Sequence, residues 1–319
     1  MESAPIEKPR VVVIGSTNMD LVVRCPRMPH PGETLLGGEF ASSPGGKGAN
    51  QAVAAARLGA ECHFIGRVGA DDFGSRLKLQ MEAAGVNTRH LIVTEGVASG
   101  VAMIVVDGQG ENSIVVASGA NARVTPADID AAEPLIASAK AVLVQLELPM
   151  ETVLRGLALA RKHNVMTVLD PAPAPPDAVL PAAAYDVDIL NPNAVEASQL
   201  SCEPIGEDRH SAKMVAVALL RMGAKSVVIK LGRRGALAVD GAKPKFRELP
   251  AFQVSVVDTT AAGDAFAAAL TVARAAGRSL TDATRFACAA GGLACTKLGA
   301  VNAMPTLAEV EKLMFEQEK

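Results

Sequence analysis

Val11-Val12-Val13-Ile14, closed by Gly15 and followed by Ser16-Thr17-Asn18-Met19-Asp20, is the stretch on which the fold turns. Four consecutive apolar residues ending at a glycine predict a strand buried on both faces, because a half-buried strand would alternate apolar and polar side chains. Runs of the same kind recur at 141–146, 165–169, 187–190 and 226–231. Stretches of helical period lie at 51–58, 75–84, 151–162, 195–200 and 212–222, and the chain from Gly263 onward is Ala-rich and helical in pattern. Strand alternating with helix at this spacing predicts an α/β fold, a parallel sheet covered by helices on both faces.

Two stretches break that alternation. Residues 21–40 hold three prolines, several glycines and short β-like pieces. Residues 99–116 read as two strands, 101–106 and 113–116, around the turn Asp107-Gly108-Gln109-Gly110, which is a hairpin signal. Neither carries a helix to complete a βα unit, so both are expected in a small separate β-sheet. No linker or internal repeat divides the chain, and one main domain over 1–319 is expected.

Composition excludes several classes. A net charge of −3 offers no bulk attraction to nucleic acid or an anionic membrane. No apolar run approaches the roughly 18 residues that span a bilayer, and the opening MESAPIEKPR has no apolar leader region. Five cysteines without a C-x-x-C read as reduced thiols, which points to the cytoplasm and away from a disulfide frame or zinc site. With no Trp and one Tyr, any sugar would be held by polar groups.

The strongest chemical signal is Val257-Asp258-Thr259-Thr260-Ala261-Ala262-Gly263-Asp264-Ala265-Phe266, where small residues run into a helix. Small residues let backbone N–H groups approach an anion at a helix N-terminus. Asp264 would repel that anion but could serve as a base beside it; as a helix N-cap it needs no ligand at all. Pro44-Gly45-Gly46-Lys47-Gly48-Ala49-Asn50-Gln51 could bring backbone, Lys47 and Asn50 to a ligand, or be a glycine turn before a helix; it is not a P-loop, since Gly48 follows Lys47. Asn18 and Asp20 follow the first strand, where ligands of open α/β sheets bind, though both are also ordinary turn residues. In Asn191-Pro192-Asn193-Ala194-Val195-Glu196, the spacing of Asn193 and Glu196 is that of a helix capping box.

Taken in this order, N-x-D, GGKGANQA, P-N-x-x-E and D-T-T-A-A-G-D-A-F resemble the ribokinase family of carbohydrate kinases, from Val11 to about Lys312. Pro31-Gly32-Glu33-Thr34, Gly119-Ala120-Asn121-Ala122 and Gln145-Leu146-Glu147 add to the likeness. The resemblance implies a doubly wound, mostly parallel sheet with a β-sheet lid, built here from about 19–42 and 99–117. It implies transfer of the ATP γ-phosphoryl group to O5 of ribose, with Asp264 as base and the amides of Ala262, Gly263 and Asp264 as anion hole. Asn18, Asp20, Gly46, Lys47, Asn50 and Glu147 would hold the sugar. Asn193 and Glu196 would act near the phosphates and Mg²⁺, and the segment from Lys230 through Gly232 to Gly235 would lie along ATP. A K⁺ would sit on Asp258, Thr260, Ala294, Lys297, Gly299 and Ala303, mostly through carbonyls, and the lids would join a homodimer. Lys230, Cys288 and Asn302-Ala303 depart from the usual Thr, His and Pro-Ser. Deoxyribose, fructose or a nucleoside as substrate, or a silent sugar sensor, are the alternatives; a sensor has no need of Asp264 and its loop. A dehydrogenase is excluded by the lack of G-x-G-x-x-G after the first strand.

Overall fold

The computed structural model describes residues 8–206, 208–241 and 244–317. Residues 1–7, part of the opening segment assessed above, lie outside the described residues. The strands are β1 (Arg10–Ile14), β2 (Asn18–Arg24), β3 (Phe40–Gly45), β4 (Glu61–Gly69), β5 (Asn87–Thr94), β6 (Gly100–Val106), β7 (Asn112–Ala117), β8 (Ala141–Val144), β9 (Met166–Leu169), β10 (Ile189–Leu190), β11 (Ser226–Lys230), β12 (Ala236–Asp240) and β13 (Lys245–Leu249). Nine form one sheet in the order β13-β12-β11-β10-β9-β8-β1-β4-β5, and four form a second in the order β3-β2-β6-β7.

The apolar run of β1 lies near the middle of the large sheet and is fully buried. Its side chains alternate between two cores: Val11 and Val13 join the helices Lys47–Arg57, Ala262–Ala275 and Leu280–Ala294, while Val12 and Ile14 join Met150–Lys162 and Arg209–Arg221. A strand with helices on both faces has no solvent side, which is why its sequence shows no alternation. From β5 to β11 every neighbouring pair is parallel. At the other edge β12 and β13 run antiparallel, so the sheet is mostly parallel, as expected. Only residues 231–235 separate β11 from β12, too few for a helical crossover.

The small sheet contains the two anomalous stretches, with β6 and β7 as the expected hairpin. Asn18, at the start of β2, pairs with Gly45, at the end of β3, so the base of the sheet is made of the N-x-D and glycine motifs themselves. The chain leaves β1 outward to β4 and β5, then returns to β8 on the other side of β1. That reversal makes the carboxyl ends of β1 and β8 the topological switch point, the usual place for a ligand crevice.

Candidate active site

Five loops meet at the carboxyl ends of the parallel strands. They bring Asn18 after β1, Glu147 after β8, Asp170 after β9, Asn193 after β10 and Lys230 at the end of β11. Opposite them starts the helix Ala262–Ala275, whose N-cap Ala261 has the left-handed φ of 59°. A cleft of about 320 Å³ is lined by Lys47, Asp170, Asn193, Glu196, Lys230, Gly263 and Asp264.

Asp264 stands in the first turn of that helix and is 6% exposed. It is not held as a cap. Asn50 Nδ2 donates to its Oδ2 at 2.9 Å and Gln51 Nε2 to its Oδ1 at 3.2 Å. Burial pushes its carboxyl up to about 6 against the pull of Lys47, with Asp170 and Glu147 adding to the rise and the Asn50 hydrogen bond opposing it. The first intrahelical bond is Ala265 N–H to Ala261 O at 3.0 Å. The N–H groups of Gly263 and Asp264 precede it and, like those of any helix start, have no acceptor within the helix. The Ala262 amide already donates to Thr259 O at 3.3 Å.

The glycine motif is built by close approach. Gly46, at φ +89°, precedes the helix Lys47–Arg57, which starts four residues before the expected 51. A Cβ on Gly48 would lie 2.6 Å from Gly15 Cα, and one on Gly45 would lie 2.1 Å from Asp20 Oδ2. The helix start is thus pressed onto the end of β1, and Asp20 fills the space beside Gly45. Burial, then Glu147 and Asp264, push the Asp20 carboxyl up to about 7. Burial pulls the Lys47 ammonium down, but Asp264, Asp170, Glu147 and Glu196 outweigh it and hold it above the ordinary lysine value. Glu147 accepts from Ser16 Oγ and, at 3.2 Å, from Lys47 N–H. Asn50 Oδ1 is buried with no hydrogen-bond partner, an acceptor left over inside the site.

Asn193 and Glu196 do form the capping box: Asn193 Oδ1 accepts from Glu196 N–H at 2.9 Å, and Glu196 Oε2 accepts from Asn193 N–H at 2.8 Å. The same two residues line the cleft. Burial raises the Glu196 carboxyl, partly offset by Lys230. Among the described residues no group of three or more His, Cys, Asp or Glu is placed to hold a metal. Gly232 and Gly235, with Lys230 and Gly263, also line a more apolar slot of about 390 Å³ that runs past Phe252, Val254, Phe266, Cys288 and Gly292.

The loops expected to carry a cation do lie together. Asp258 Oδ1 accepts from Thr260 N–H at 2.9 Å and Thr260 Oγ1 at 2.6 Å, and Asp258 Oδ2 accepts from Gly299 N–H at 2.9 Å. Val257 N–H donates to Cys295 O at 2.8 Å, just past Ala294 at the end of its helix. Ala303 is buried at the end of the short helix Val301–Ala303. Lys297 pairs its ammonium with Glu309 at 3.0 Å, which leaves its carbonyl as the group for a cation.

Several site residues escape sequence reasoning. Asp170, 1% exposed, accepts Lys230 Nζ on Oδ1 at 2.6 Å and Gln51 Nε2 on Oδ2 at 2.8 Å. Gln145 Nε2 donates to Gln51 Oε1 at 2.5 Å, and Asn121 Nδ2 donates to Asn18 Oδ1 at 2.8 Å. Asp170 directly follows the run 165–169, so the strand-end rule that drew attention to Asn18 would have found it too.

Residues 8–307 match the family model described as pfkB family carbohydrate kinase. The chain is 41% identical over 306 residues to the ribokinase of Bacillus subtilis (strain 168), covering 95% of this chain and 99% of that protein. It is 36% identical over 256 residues to the deoxyribokinase of Salmonella typhi, covering 80% and 82%. Arabidopsis thaliana ribokinase, solved in complex with ribose and ATP, superposes with a TM-score of 0.88 at 32% identity, covering 97% of this chain and 99% of that one.

Proposed function

The chain belongs to the pfkB family of carbohydrate kinases, and from that premise we propose that it transfers the γ-phosphoryl group of ATP to O5 of ribose, giving ribose 5-phosphate. One observation carries the reading: Asp264, a buried carboxylate held by Asn50 and Gln51, stands at the start of a helix whose first amides are free of intrahelical partners. A base and an anion site are then one residue apart, which is what phosphoryl transfer to a hydroxyl needs.

In this reading Asp264 takes the O5 proton as O5 attacks phosphorus, and the Gly263 and Asp264 amides, with Ala262 behind them, receive the charge of the transferring group. Asn18, Asp20, Gly46, Lys47, Asn50 and Glu147 hold the sugar; the unpartnered Asn50 Oδ1 offers an acceptor to one hydroxyl. The base of ATP lies in the slot by Phe252 and Cys288, with Gly232 and Gly235 along its phosphates. Mg²⁺ would offset the negative charge of the phosphates, and the buried Glu196 and the neighbouring Asn193 would hold it there. K⁺ would be held by carbonyls of Thr260, Ala294, Lys297, Gly299 and Ala303, while Asp258, whose two oxygens are occupied by Thr260 and Gly299, ties the two loops together. The small sheet acts as lid and as the joint of a homodimer within one domain over 1–319, and the protein works in the cytoplasm; no helix is long and apolar enough to cross a membrane among the described residues.

The test is ADP release over a panel of pentoses, hexoses and nucleosides, each with and without K⁺. Ribose should give the highest kcat/KM. The Salmonella typhi relative makes deoxyribose the sharpest rival, and a higher kcat/KM for deoxyribose would overturn the assignment. Asp20 favours ribose because it can accept from vicinal hydroxyls that the 2-deoxy sugar lacks.

A further inference from the structure

We propose that Lys230 is a catalytic residue that binds the γ-phosphoryl group, and that Asp170 is the positioning residue that aims it. The proposal rests on the kinase reading above and adds a second cation to the transfer site. A Cβ built on Gly263 would have Lys230 Nζ as its nearest neighbour, at 3.8 Å, so the ammonium lies directly over the first turn of the helix Ala262–Ala275. Lys230 also lines both the polar cleft and the apolar slot, together with Gly232 and Gly263. The boundary between those two spaces is where a nucleotide held in the slot would present its terminal phosphate to the cleft.

The ammonium is fixed there from two sides. Its backbone N–H donates to Pro192 O at 2.9 Å, and Nζ pairs with Asp170 Oδ1 at 2.6 Å. Asp170 cannot turn away, because Gln51 Nε2 holds its other oxygen and at the same time donates to Asp264. One glutamine thus connects the carboxylate that orients Lys230 with the carboxylate that takes the proton. The Lys230 side chain is only 11% exposed and the Asp170 side chain 1%, so the pair is shielded from solvent. A lysine ammonium has three donors, so bonding Asp170 leaves two for phosphoryl oxygens.

The cleft lining also needs this cation. Asp170, Glu196 and Asp264 face it with only Lys47 and Lys230 to balance them. Lys47 stands on the helix that carries Asn50, on the side of the proposed sugar; Lys230 stands beside Gly263, on the side of the nucleotide. Charge that builds up on the phosphoryl group in flight would lie between two ammonium groups and the helix start.

The experiment measures MgATP and MgADP binding by calorimetry without sugar, and kcat with ribose, for wild type, Lys230→Met, Lys230→Arg and the double variant Lys230→Met/Asp170→Asn. The double variant removes the buried carboxylate that the single change would orphan, so a folding defect does not hide the answer. Loss of a charge-assisted bond to the γ-phosphate should weaken ATP by about ten-fold or more while ADP changes by less than about three-fold. In both Met variants kcat should fall by about 10²-fold or more, with the arginine variant recovering part of it. Equal losses for ATP and ADP, or a double variant with wild-type kcat, would overturn the proposal. Wild-type protein that binds neither nucleotide would instead overturn the kinase reading itself, and the proposal with it.

Discussion

Burial first, and then the charges of neighbouring carboxylates, make Asp20 and Asp264 titrate far above an ordinary aspartate. Such shifts cluster where carboxylates must act near neutral pH. If Asp264 is the base and Asp20 the sugar acceptor, both must be ionised, so kcat/KM for ribose should fall as pH drops through about 7 and then about 6. In Asp20→Asn the acid limb should move down to about 6, because only Asp264 then remains to be protonated. A limb that stays near 7 in the variant would assign it elsewhere. The stability sign is the reverse. The folded pKa of Asp20 exceeds its unfolded value, so the folded protein binds the extra proton and its stability falls as pH rises from about 4 through 7. Asp20→Asn should therefore raise Tm at pH 8.5 by about 2 °C or more and change it little at pH 4. Asp264→Asn should keep sugar affinity within a few-fold but lower turnover by ~10²–10⁴-fold; turnover within a few-fold of wild type would remove Asp264 from the chemistry. The sequence made these residues legible because Asp264 sits among small residues and Asp20 follows a strand. The strand-end rule also points to Asp170, but nothing in the sequence signals that Gln51, Gln145 and Asp170 will share hydrogen bonds in the core.

At the level of elements, β1 and β8 to β11 were readable because each is a continuous apolar run and the strands around them leave no solvent face. β4 and β5 were not read: His63, Arg67, Arg89 and His90 interrupt their apolar residues near the edge of the sheet. β12 and β13 were missed because a parallel alternation gives no warning of a hairpin that closes the far edge. The small sheet was readable by default, as strand signals with no helix to pair with them. The loops around Asp258 show what sequence gives only through resemblance. Their adjacency depends on the end of the helix Leu280–Ala294 meeting the segment before Ala262, a contact between residues far apart in the chain. With the two loops tied by Asp258, a monovalent cation on their carbonyls should act on kcat rather than on sugar affinity, by ordering the Ala261–Gly263 turn. Removal of K⁺ in a Tris or choline buffer should lower kcat several-fold, and Asp258→Ala should blunt the response to added K⁺. Full activity without K⁺, NH₄⁺ or Cs⁺ would refute the site, as would an Asp258→Ala enzyme with an unchanged response.

For the whole molecule the open question is what covers the small sheet. A four-stranded sheet has two edges, and here β7 exposes all of its residues, including Ile114, Val115 and Val116 at 53%, 70% and 47%. Phe40 and Met103, on β3 and β6, are 64% and 61% exposed. The register places Met103 opposite Val115 on one face and Ile104 opposite Ile114 on the other, so apolar side chains reach solvent from both. A contiguous apolar surface with an unprotected edge strand is rare on a monomer, because it invites pairing with another chain. The sheet's base also carries Asn18, Asp20 and Gly45 into the site, so whatever steadies the sheet steadies the sugar subsite. A second copy of the chain, packing its own small sheet on this one, would do both. Sedimentation equilibrium at micromolar concentration should give twice the 32.8 kDa chain mass. Met103→Lys/Ile114→Lys, which puts a charge on each face, should give a folded monomer by circular dichroism and raise KM for ribose more than KM for ATP. A wild-type protein that stays monomeric across the concentration range would refute the dimer, and a monomeric variant with unchanged KM for ribose would separate assembly from the site.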